Sequence, residues 1–273
     1  MNMHRFWLAA VMLLAPAGSA LADWELNMRE GVTEISRDIH GLHMLIFWVC
    51  CVIALFVFGW MILALVLHRK SRGVEAAQFS HSTKAEIVWT LIPVLILIAM
   101  AVPATQTMLK IEDDRNPDIT IKATGYQWKW EYEYLDEGVS FYSNLARTSN
   151  DARRLNSGID PASVENYLLE VDNHVIVPVN KKVRVLITSN DVLHAWWMPD
   201  FGIKKDAIPG YINQVWFRAE EPGIYRGQCA ELCGQDHGFM PIVVEVLAQD
   251  EFNARMAAMQ AEQGIDTTKL AAN

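Results

Sequence analysis

Two long uncharged segments constrain the fold of this chain more than any other feature. Met44 to Leu67 is a run of 24 residues without a charge, and Ile87 to Leu109 is a second run of 23. About 20 apolar residues in a helix cross the hydrocarbon core of a bilayer. The sequence therefore predicts a transmembrane hairpin over residues 42–109, with helices near 42–67 and 87–109.

Positive charge in the loop between these runs, residues 68–86, sets the orientation of the hairpin. Arg69, Lys70 and Arg72 lie in this loop, and cytoplasmic loops are enriched in Lys and Arg. The loop is therefore predicted to be cytoplasmic. Residues 23–41 and everything after the second helix are then predicted to be exported.

The N-terminus, residues 1–22, has the order of a secretory signal. His4 and Arg5 precede a short apolar run, and the small residues of Ala20-Leu-Ala22 suit a cleavage site. We expect cleavage after Ala22, and an uncleaved anchor is the alternative. A secretory signal requires the orientation that the loop charges indicate, and the two arguments are independent.

The exported part is acidic. From Lys110 onward the sequence has 16 Lys and Arg against 25 Asp and Glu, which accounts for the whole formal net charge of −9. Such a surface is unsuited to nucleic acid and suited to a basic partner. Solubility is the simpler explanation of the same charge.

Residues 110–248 have the pattern of a β-domain. Short segments alternate between apolar and polar residues, as half-buried strands do: 119–123, 128–134, 183–188, 214–217 and 242–246. Many short strands separated by Gly and Pro predict a sandwich or barrel. A polar excursion over 144–166 shows little periodicity. The tail, 249–273, is predicted to begin as a helix that ends near Gln263, with Phe252, Met256 and Met259 on one face.

The most chemically specific segment is Cys229 to Met240. It holds two thiols, an imidazole at His237 and a thioether, and a further imidazole, His194, lies 35 residues before Cys229. Thiolate, imidazole and thioether are soft ligands that suit copper better than magnesium, calcium or manganese. Two cysteines four residues apart can also share two metal ions.

A disulfide between Cys229 and Cys233 is the competing interpretation for an exported domain. The nearby His and Met favour a metal site instead. Cys50 and Cys51, inside the first apolar run, are expected to behave as small apolar residues. His174 is interpreted as a turn residue without a partner nearby, and not as a ligand.

The chain resembles subunit II of haem-copper cytochrome c oxidases of the bacterial aa3 type over essentially its whole length. The hairpin followed by an exported β-domain matches that family. The motifs that carry the resemblance are these: Glu86-Ile-Val-Trp-Thr-Leu-Ile-Pro93, Gly125-Tyr-Gln-Trp-Lys-Trp-Glu-Tyr132, Val192-Leu-His-Ala-Trp196, Lys205-Asp-Ala-Ile-Pro-Gly210 and Cys229-Ala-Glu-Leu-Cys-Gly-Gln-Asp-His-Gly-Phe-Met-Pro241.

The resemblance implies an α+β membrane protein, with a two-helix transmembrane hairpin followed by a cupredoxin-like Greek-key β-barrel. It implies a dinuclear copper centre, CuA, in that barrel. Cys229 and Cys233 would bridge both coppers. The remaining copper ligands would be His194, His237, Met240 as a weak ligand, and the main-chain carbonyl of Glu231. The Glu231 carboxylate would bind a magnesium or manganese ion shared with subunit I.

The resemblance also assigns roles around this centre. Trp128 would be the surface tryptophan at which electrons enter, although an aromatic core residue of a strand is the alternative. Glu86 would stand at the mouth of a proton-uptake path, or could simply cap its helix. Carboxylates that could steer a basic cytochrome c are Glu133, Asp136, Glu137 and Asp191.

The implied protein is the electron-input subunit of cytochrome c oxidase in the bacterial inner membrane, with both termini periplasmic. It would take electrons from cytochrome c and pass them to haem in subunit I for oxygen reduction coupled to proton pumping, with subunit III as a further partner. A quinol oxidase subunit would lack the copper ligands, and nitrous oxide reductase would lack the hairpin. A periplasmic copper-handling protein would need neither Trp128 nor Glu86. No Cys-x-x-Cys-His sequence for a fused haem occurs.

Overall fold

The computed structural model describes residues 27–73, 75 and 78–265. The predicted signal sequence, its cleavage site and the end of the predicted C-terminal tail lie outside the described residues.

Two long helices form the predicted hairpin. Helix α1 spans Glu34–Leu67 and helix α2 spans Thr83–Ile111. Both are long and apolar enough to cross a bilayer. Each begins before the predicted position, α1 well before residue 42, because Thr33 and Ser82 cap the two helices ahead of the apolar runs. The last part of the predicted segment 23–41 is therefore helical.

The outer ends of the hairpin are fixed to the β-domain. Lys110, near the end of α2, forms ion pairs with Glu34 and Asp38 in the first turns of α1. The Trp216 indole donates to the Lys110 carbonyl at 3.2 Å. Thr33 forms an isolated β-bridge with Ala219. The segment before α1 thus packs on the β-domain and not on the membrane helices alone.

The β-domain consists of two five-stranded sheets. The strands are β1 (Ile119–Tyr126), β2 (Lys129–Tyr134), β3 (Ser140–Ser143), β4 (Val175–Pro178), β5 (Val183–Ser189), β6 (His194–Met198), β7 (Ile203–Ala207), β8 (Asn213–Phe217), β9 (Gly223–Cys229) and β10 (Pro241–Leu247). One sheet has the order β3-β2-β1-β5-β8 and the other β4-β10-β9-β6-β7. The β1–β5 and β4–β10 pairs are parallel, and the other strand pairs are antiparallel. The predicted architecture of a hairpin followed by a cupredoxin-like β-domain is confirmed.

Alternate side chains of the strands fill the space between the sheets. Trp130, Tyr132 and Tyr134 of β2 are buried, with polar residues between them facing outward. The Tyr132 hydroxyl accepts a hydrogen bond from the Trp196 indole of the opposite sheet at 3.2 Å. Phe201 stacks on Phe217 with ring centroids 4.5 Å apart. The packed core between the two sheets thus lies directly behind β6 and β9.

Two further helices lie on the β-domain. Helix α3 (Arg147–Ala152) lies in the polar excursion, whose weak periodicity did not predict it. Leu145 and Val171 form a β-bridge that closes the base of this excursion. Helix α4 (Gln249–Glu262) confirms the predicted tail helix, with Phe252 and Met256 buried on the sheet.

Candidate metal centre

Strand ends and one loop bring the sulfur and nitrogen atoms together. His194 is the first residue of β6 and Cys229 the last residue of β9, and these strands pair with Trp196 opposite Cys229. The loop from Ala230 to Met240 then turns through a short 3₁₀ segment at His237–Phe239 before β10. The ligand atoms of His194, Cys229 and Cys233 lie within 4.8 Å of one another.

Each thiol has its own set of neighbours. The Cys229 Sγ lies 3.9 Å from His194 Nδ1 and 3.4 Å from the Glu231 carbonyl oxygen. The Cys233 Sγ lies 3.5 Å from His237 Nδ1 and 3.5 Å from Met240 Sδ. The structure therefore brings together every predicted copper-ligand residue, in two groups.

The two sulfurs stand between these groups without a bond. They are 3.9 Å apart, whereas a disulfide bond is about 2 Å long. Both cysteines are buried, and so is Met240. A pair of buried, unbonded thiols with one imidazole on either side is a donor set that suits a soft metal such as copper.

The electrostatics of the two thiols differ. Burial of Cys229 opposes ionisation, but its contact with His194 and the backbone hydrogen bonds at Ala195 and Glu231 together outweigh burial and lower the pKa of the Cys229 thiol. Burial raises the pKa of the Cys233 thiol well above its ordinary value, and the neighbouring Cys229 charge adds to this. Cys229 is therefore the more acidic of the two thiols. Because metals bind thiolates, metal uptake releases thiol protons and depends on pH.

The fully buried His194 imidazole is held on both sides. Its Nε2 lies 2.9 Å from Asp191 Oδ1, while its Nδ1 faces Cys229. A carboxylate on the remote nitrogen fixes the ring orientation of a metal-ligating histidine. Gly125 of β1 lies against the ring, since a Cβ there would come within 2.7 Å of His194 Cδ2.

Trp128 lies in the turn between β1 and β2, half-buried and outside the strand core. Its indole Nε1 donates to the Cys233 carbonyl at 3.2 Å, and Gln127 Nε2 donates to the same oxygen at 2.9 Å. Gly234 follows with φ of 116°, where an added Cβ would meet both side chains. Trp128 is thus hydrogen-bonded to the backbone of a predicted copper ligand.

The four carboxylates predicted to steer a partner fall into different environments. The Asp191 carboxylate accepts a hydrogen bond from the main-chain amide of Gln127 at 2.7 Å, beside Trp128 and His194. Glu133 pairs with Lys122 at 2.6 Å. Asp136 and Glu137 lie in the β2–β3 turn, at the end of β2 remote from Trp128; Asp136 is exposed and Glu137 is partly buried.

The other predicted site residues lie apart from the thiols or face away from them. Glu231 directs its carbonyl at Cys229, and no partner of its carboxylate is found among the described residues. Glu86 lies in the first turn of α2, beside a 300 Å³ groove that Thr83, Ile87, Thr90 and Leu91 also line. His174 was expected to have no partner, and this was wrong. Its Nε2 lies 2.7 Å from Glu170 and its Nδ1 3.4 Å from Glu245.

Several partners of the centre were not predicted. Gln127 gave no signal beyond its place next to Trp128. Asp191 was assigned only a surface role, although its position three residues before His194 could have indicated a carboxylate–imidazole pair. Arg153 binds Asp236, next to His237, from far along the chain, and no local pattern marks that contact.

Comparison with known proteins agrees with this arrangement. The model of the cytochrome c oxidase subunit II periplasmic domain matches residues 119–247, and that of the subunit II transmembrane domain matches residues 22–107. The probable cytochrome c oxidase subunit 2 of Rickettsia bellii is 36% identical, over 92% of this chain and 90% of its own length. The chain belongs to the cytochrome c oxidase subunit II family. Members of this family are subunits of haem-copper oxidases.

One further relative and one solved structure are also similar to this chain. Cytochrome c oxidase subunit 2 of Cyanidium caldarium is 40% identical over 85% of this chain and 90% of its own length. The periplasmic domain of cytochrome oxidase subunit II from Bradyrhizobium japonicum, known from a crystal structure, is 42% identical in sequence. The match covers 54% of this chain and 96% of that domain, with a TM-score of 0.47.

Proposed function

We propose that this chain is the electron-input subunit of its oxidase. It accepts electrons from a cytochrome c at a dinuclear copper centre and passes them to haem in subunit I, where oxygen is reduced to water with proton pumping. Family membership supports the assignment to a haem-copper oxidase. The observation that carries the finer proposal is the pair of buried, unbonded thiols with a separate imidazole beside each one.

The contacts of the two thiols support a ligand assignment. Cys229 and Cys233 would hold the two coppers together with His194, His237, Met240 and the Glu231 carbonyl. The set fits copper because it combines thiolates, imidazoles and a thioether. When bound, such a pair of metals carries one electron spread over both ions.

The protein's own residues keep the site ready for electron transfer. The burial of Cys229, Cys233, Met240 and His194 excludes water from the ligands. Asp191 fixes the His194 ring. We place the point where electrons enter at Trp128, since its indole reaches a ligand's carbonyl while part of the ring remains open to solvent. Asp191 is then the docking carboxylate nearest this point, with Glu133, Asp136 and Glu137 as further candidates.

The remaining roles are part of the same proposal. The Glu231 carboxylate would bind magnesium or manganese together with ligands from subunit I, since a hard ion prefers oxygen ligands. Glu86 would receive protons at the cytoplasmic end of α2. This requires the loop between the helices to be cytoplasmic and both termini to be periplasmic in a bacterial inner membrane, with subunit III as a further partner.

Copper loading of the purified full-length chain tests the proposal. We expect uptake of two copper ions per chain and an electron paramagnetic resonance spectrum in which one unpaired electron couples to two equivalent copper nuclei. A matched variant, Cys50→Ser in the membrane helix, should give the same spectrum. A mononuclear copper spectrum, or no copper uptake, would overturn the proposal.

A further inference from the structure

The polar excursion between β3 and β4 delivers one arginine to the metal loop. Its base is closed where the Ala146 amide donates to the Glu170 carbonyl at 2.9 Å, next to the Leu145–Val171 bridge. The fully buried Ser149 accepts from the Leu168 amide at 3.1 Å and ties α3 to the returning chain. The excursion is therefore held in place by its own hydrogen bonds, and Arg153 directly follows its helix α3.

Arg153 makes three directed contacts. Its Nη1 and Nη2 each donate to one oxygen of the Asp236 carboxylate at 3.1 Å. Its Nε donates to Asn150 Oδ1 at 2.8 Å, within the excursion. The guanidinium carbon lies 4.2 Å from the centre of the Phe239 ring. Two parallel hydrogen bonds to one carboxylate, made by a planar group that also lies over an aromatic ring, are a combination that arginine makes and lysine does not.

The contacted residues alternate with the loop-side ligands. Asp236 precedes His237, and Phe239 precedes Met240. The Phe239 amide also donates to the Asp236 carbonyl at 2.9 Å, which closes the short turn between them. Asp236 and Arg153 are both about three-quarters buried, with exposed side-chain fractions of 22% and 25%, so water screens this pair less than a surface pair.

We infer that Arg153 is a positioning residue for the copper centre. It holds both ends of the 236–239 turn and thereby sets where His237 and Met240 meet Cys233. This inference rests on the proposed function, since it concerns the hold on copper ligands. Arg153 itself touches no ligand side chain, and its effect on copper passes through Asp236 and Phe239.

The first test uses the copper-free full-length chain. Hydrogen exchange of the Phe239 and His237 amides reports the turn, because the first donates within it to Asp236 and the second donates to Gly234 just before it. In Arg153→Leu we expect these amides to exchange about tenfold faster, as local opening becomes easier. Arg154→Leu is the matched control, since Arg154 is 67% exposed and lies 3.7 Å from its acidic neighbour Asp151. It should exchange like the wild type.

The second test uses the copper-loaded chain. Loss of a partner beyond the ligands commonly costs ten- to a hundredfold in metal affinity. We therefore expect copper loss to a chelator to be about tenfold faster in Arg153→Leu, with altered hyperfine couplings and a shifted reduction potential. Arg153→Lys should fall between, since it keeps the charge but loses the paired hydrogen bonds.

The outcomes are separable. If Arg153→Leu does not fold, Arg153→Lys and Asp236→Asn carry the comparison, and combining these two should add little to either alone. Additive effects, or exchange and copper loss equal to those of Arg154→Leu, would overturn the inference. Failure of the wild type to form a dinuclear centre would instead overturn the proposed function, and the copper-free exchange result would still decide whether Arg153 holds the turn.

Discussion

The two halves of the candidate centre are built in different ways. His194 begins β6, opposite Ala207 of β7, and Cys229 ends β9, opposite Trp196 of β6, so strand pairing holds both. His237 and Met240 lie on the loop before β10, where the His237 amide donates to Gly234 at 3.3 Å and the Met240 carbonyl accepts from the Cys229 amide at 3.4 Å. Side chains from distant parts of the chain secure that loop: Gln127, Trp128 and Arg153.

This difference indicates how each half should respond to change. A ligand on a strand cannot move without breaking the backbone hydrogen bonds of its sheet. A larger side chain beside it therefore meets close-packed neighbours that have no room to shift. A ligand on a loop is held by several separate contacts, and each can be lost in part. We therefore expect large, abrupt losses on the strand half and graded losses on the loop half.

The largest effect should come from the thiols that join the two halves. We expect Cys229→Ser and Cys233→Ser each to abolish the dinuclear copper spectrum, because a hydroxyl cannot replace a bridging thiolate. Electron paramagnetic resonance and copper content of the full-length protein measure this. If one variant kept a dinuclear spectrum, the two halves would not share both sulfurs.

The next largest effect should be a clash on the strand half. In Gly125→Ala the new methyl group would press on the His194 ring, which is fully buried and cannot retreat. Overpacking of this kind costs about 1–3 kcal/mol, and displacing the ring should weaken copper binding about tenfold or more. Thermal unfolding and copper titration report the two effects.

Gly238→Ala is the matched change on the loop half. No heavy atom lies within 4 Å of a Cβ built there, and Gly238 does not need a left-handed backbone. We expect copper affinity close to that of the wild type. Equal losses from Gly125→Ala and Gly238→Ala would remove the distinction between the two halves.

How much the sequence predicts differs between the same two halves. The two long uncharged segments, the strands and the cluster from Cys229 to Met240 are local patterns, so the sequence alone identifies them. His194 could be added because its neighbours match a family motif. The positions of the ligands relative to one another depend on the pairing of β6 with β9, which no local pattern specifies.

The loop half depends on contacts across long stretches of chain. Arg153 reaches Asp236 across 83 residues, and Gln127 reaches Cys233 across 106. Such pairs leave no spacing rule in a single sequence. The start of α1 was misplaced for another reason, because Thr33 and Glu34 extend the helix beyond the apolar run that marks the membrane. The length of the apolar run indicates the part of the helix that lies in the bilayer, and not the full length of the helix.

A moderate effect should follow removal of one donor from the loop half. Trp128→Phe keeps an aromatic ring but loses the indole N–H that the Cys233 carbonyl accepts. The carbonyl retains Gln127, so we expect a stability loss of only about 0.5–1.5 kcal/mol and a retained copper spectrum. Transient kinetics with reduced cytochrome c should show slower electron transfer into copper.

Trp197→Phe is the control for that measurement, since Trp197 is a partly exposed indole on β6. It should leave the electron-transfer rate unchanged. Unaltered transfer in Trp128→Phe would place the point where electrons enter elsewhere on the domain.

The smallest effect should lie outside both halves, at Glu137 in the β2–β3 turn. Burial raises the pKa of the Glu137 carboxyl, with the nearby Asp136 charge adding to this, and one buried oxygen has no partner among the described residues. Because the folded-state pKa is raised, the cost to stability is absent at low pH. It develops as the pH rises through the ordinary carboxyl range and is complete above the raised pKa.

Glu137→Gln should therefore stabilise the protein at neutral pH by roughly 0.5–1 kcal/mol, and the gain should vanish in acid. Thermal unfolding across pH measures this, while the copper spectrum should stay constant. A change in that spectrum would mean that the metal centre is coupled to the far end of β2 and that its two halves are not set by local contacts alone.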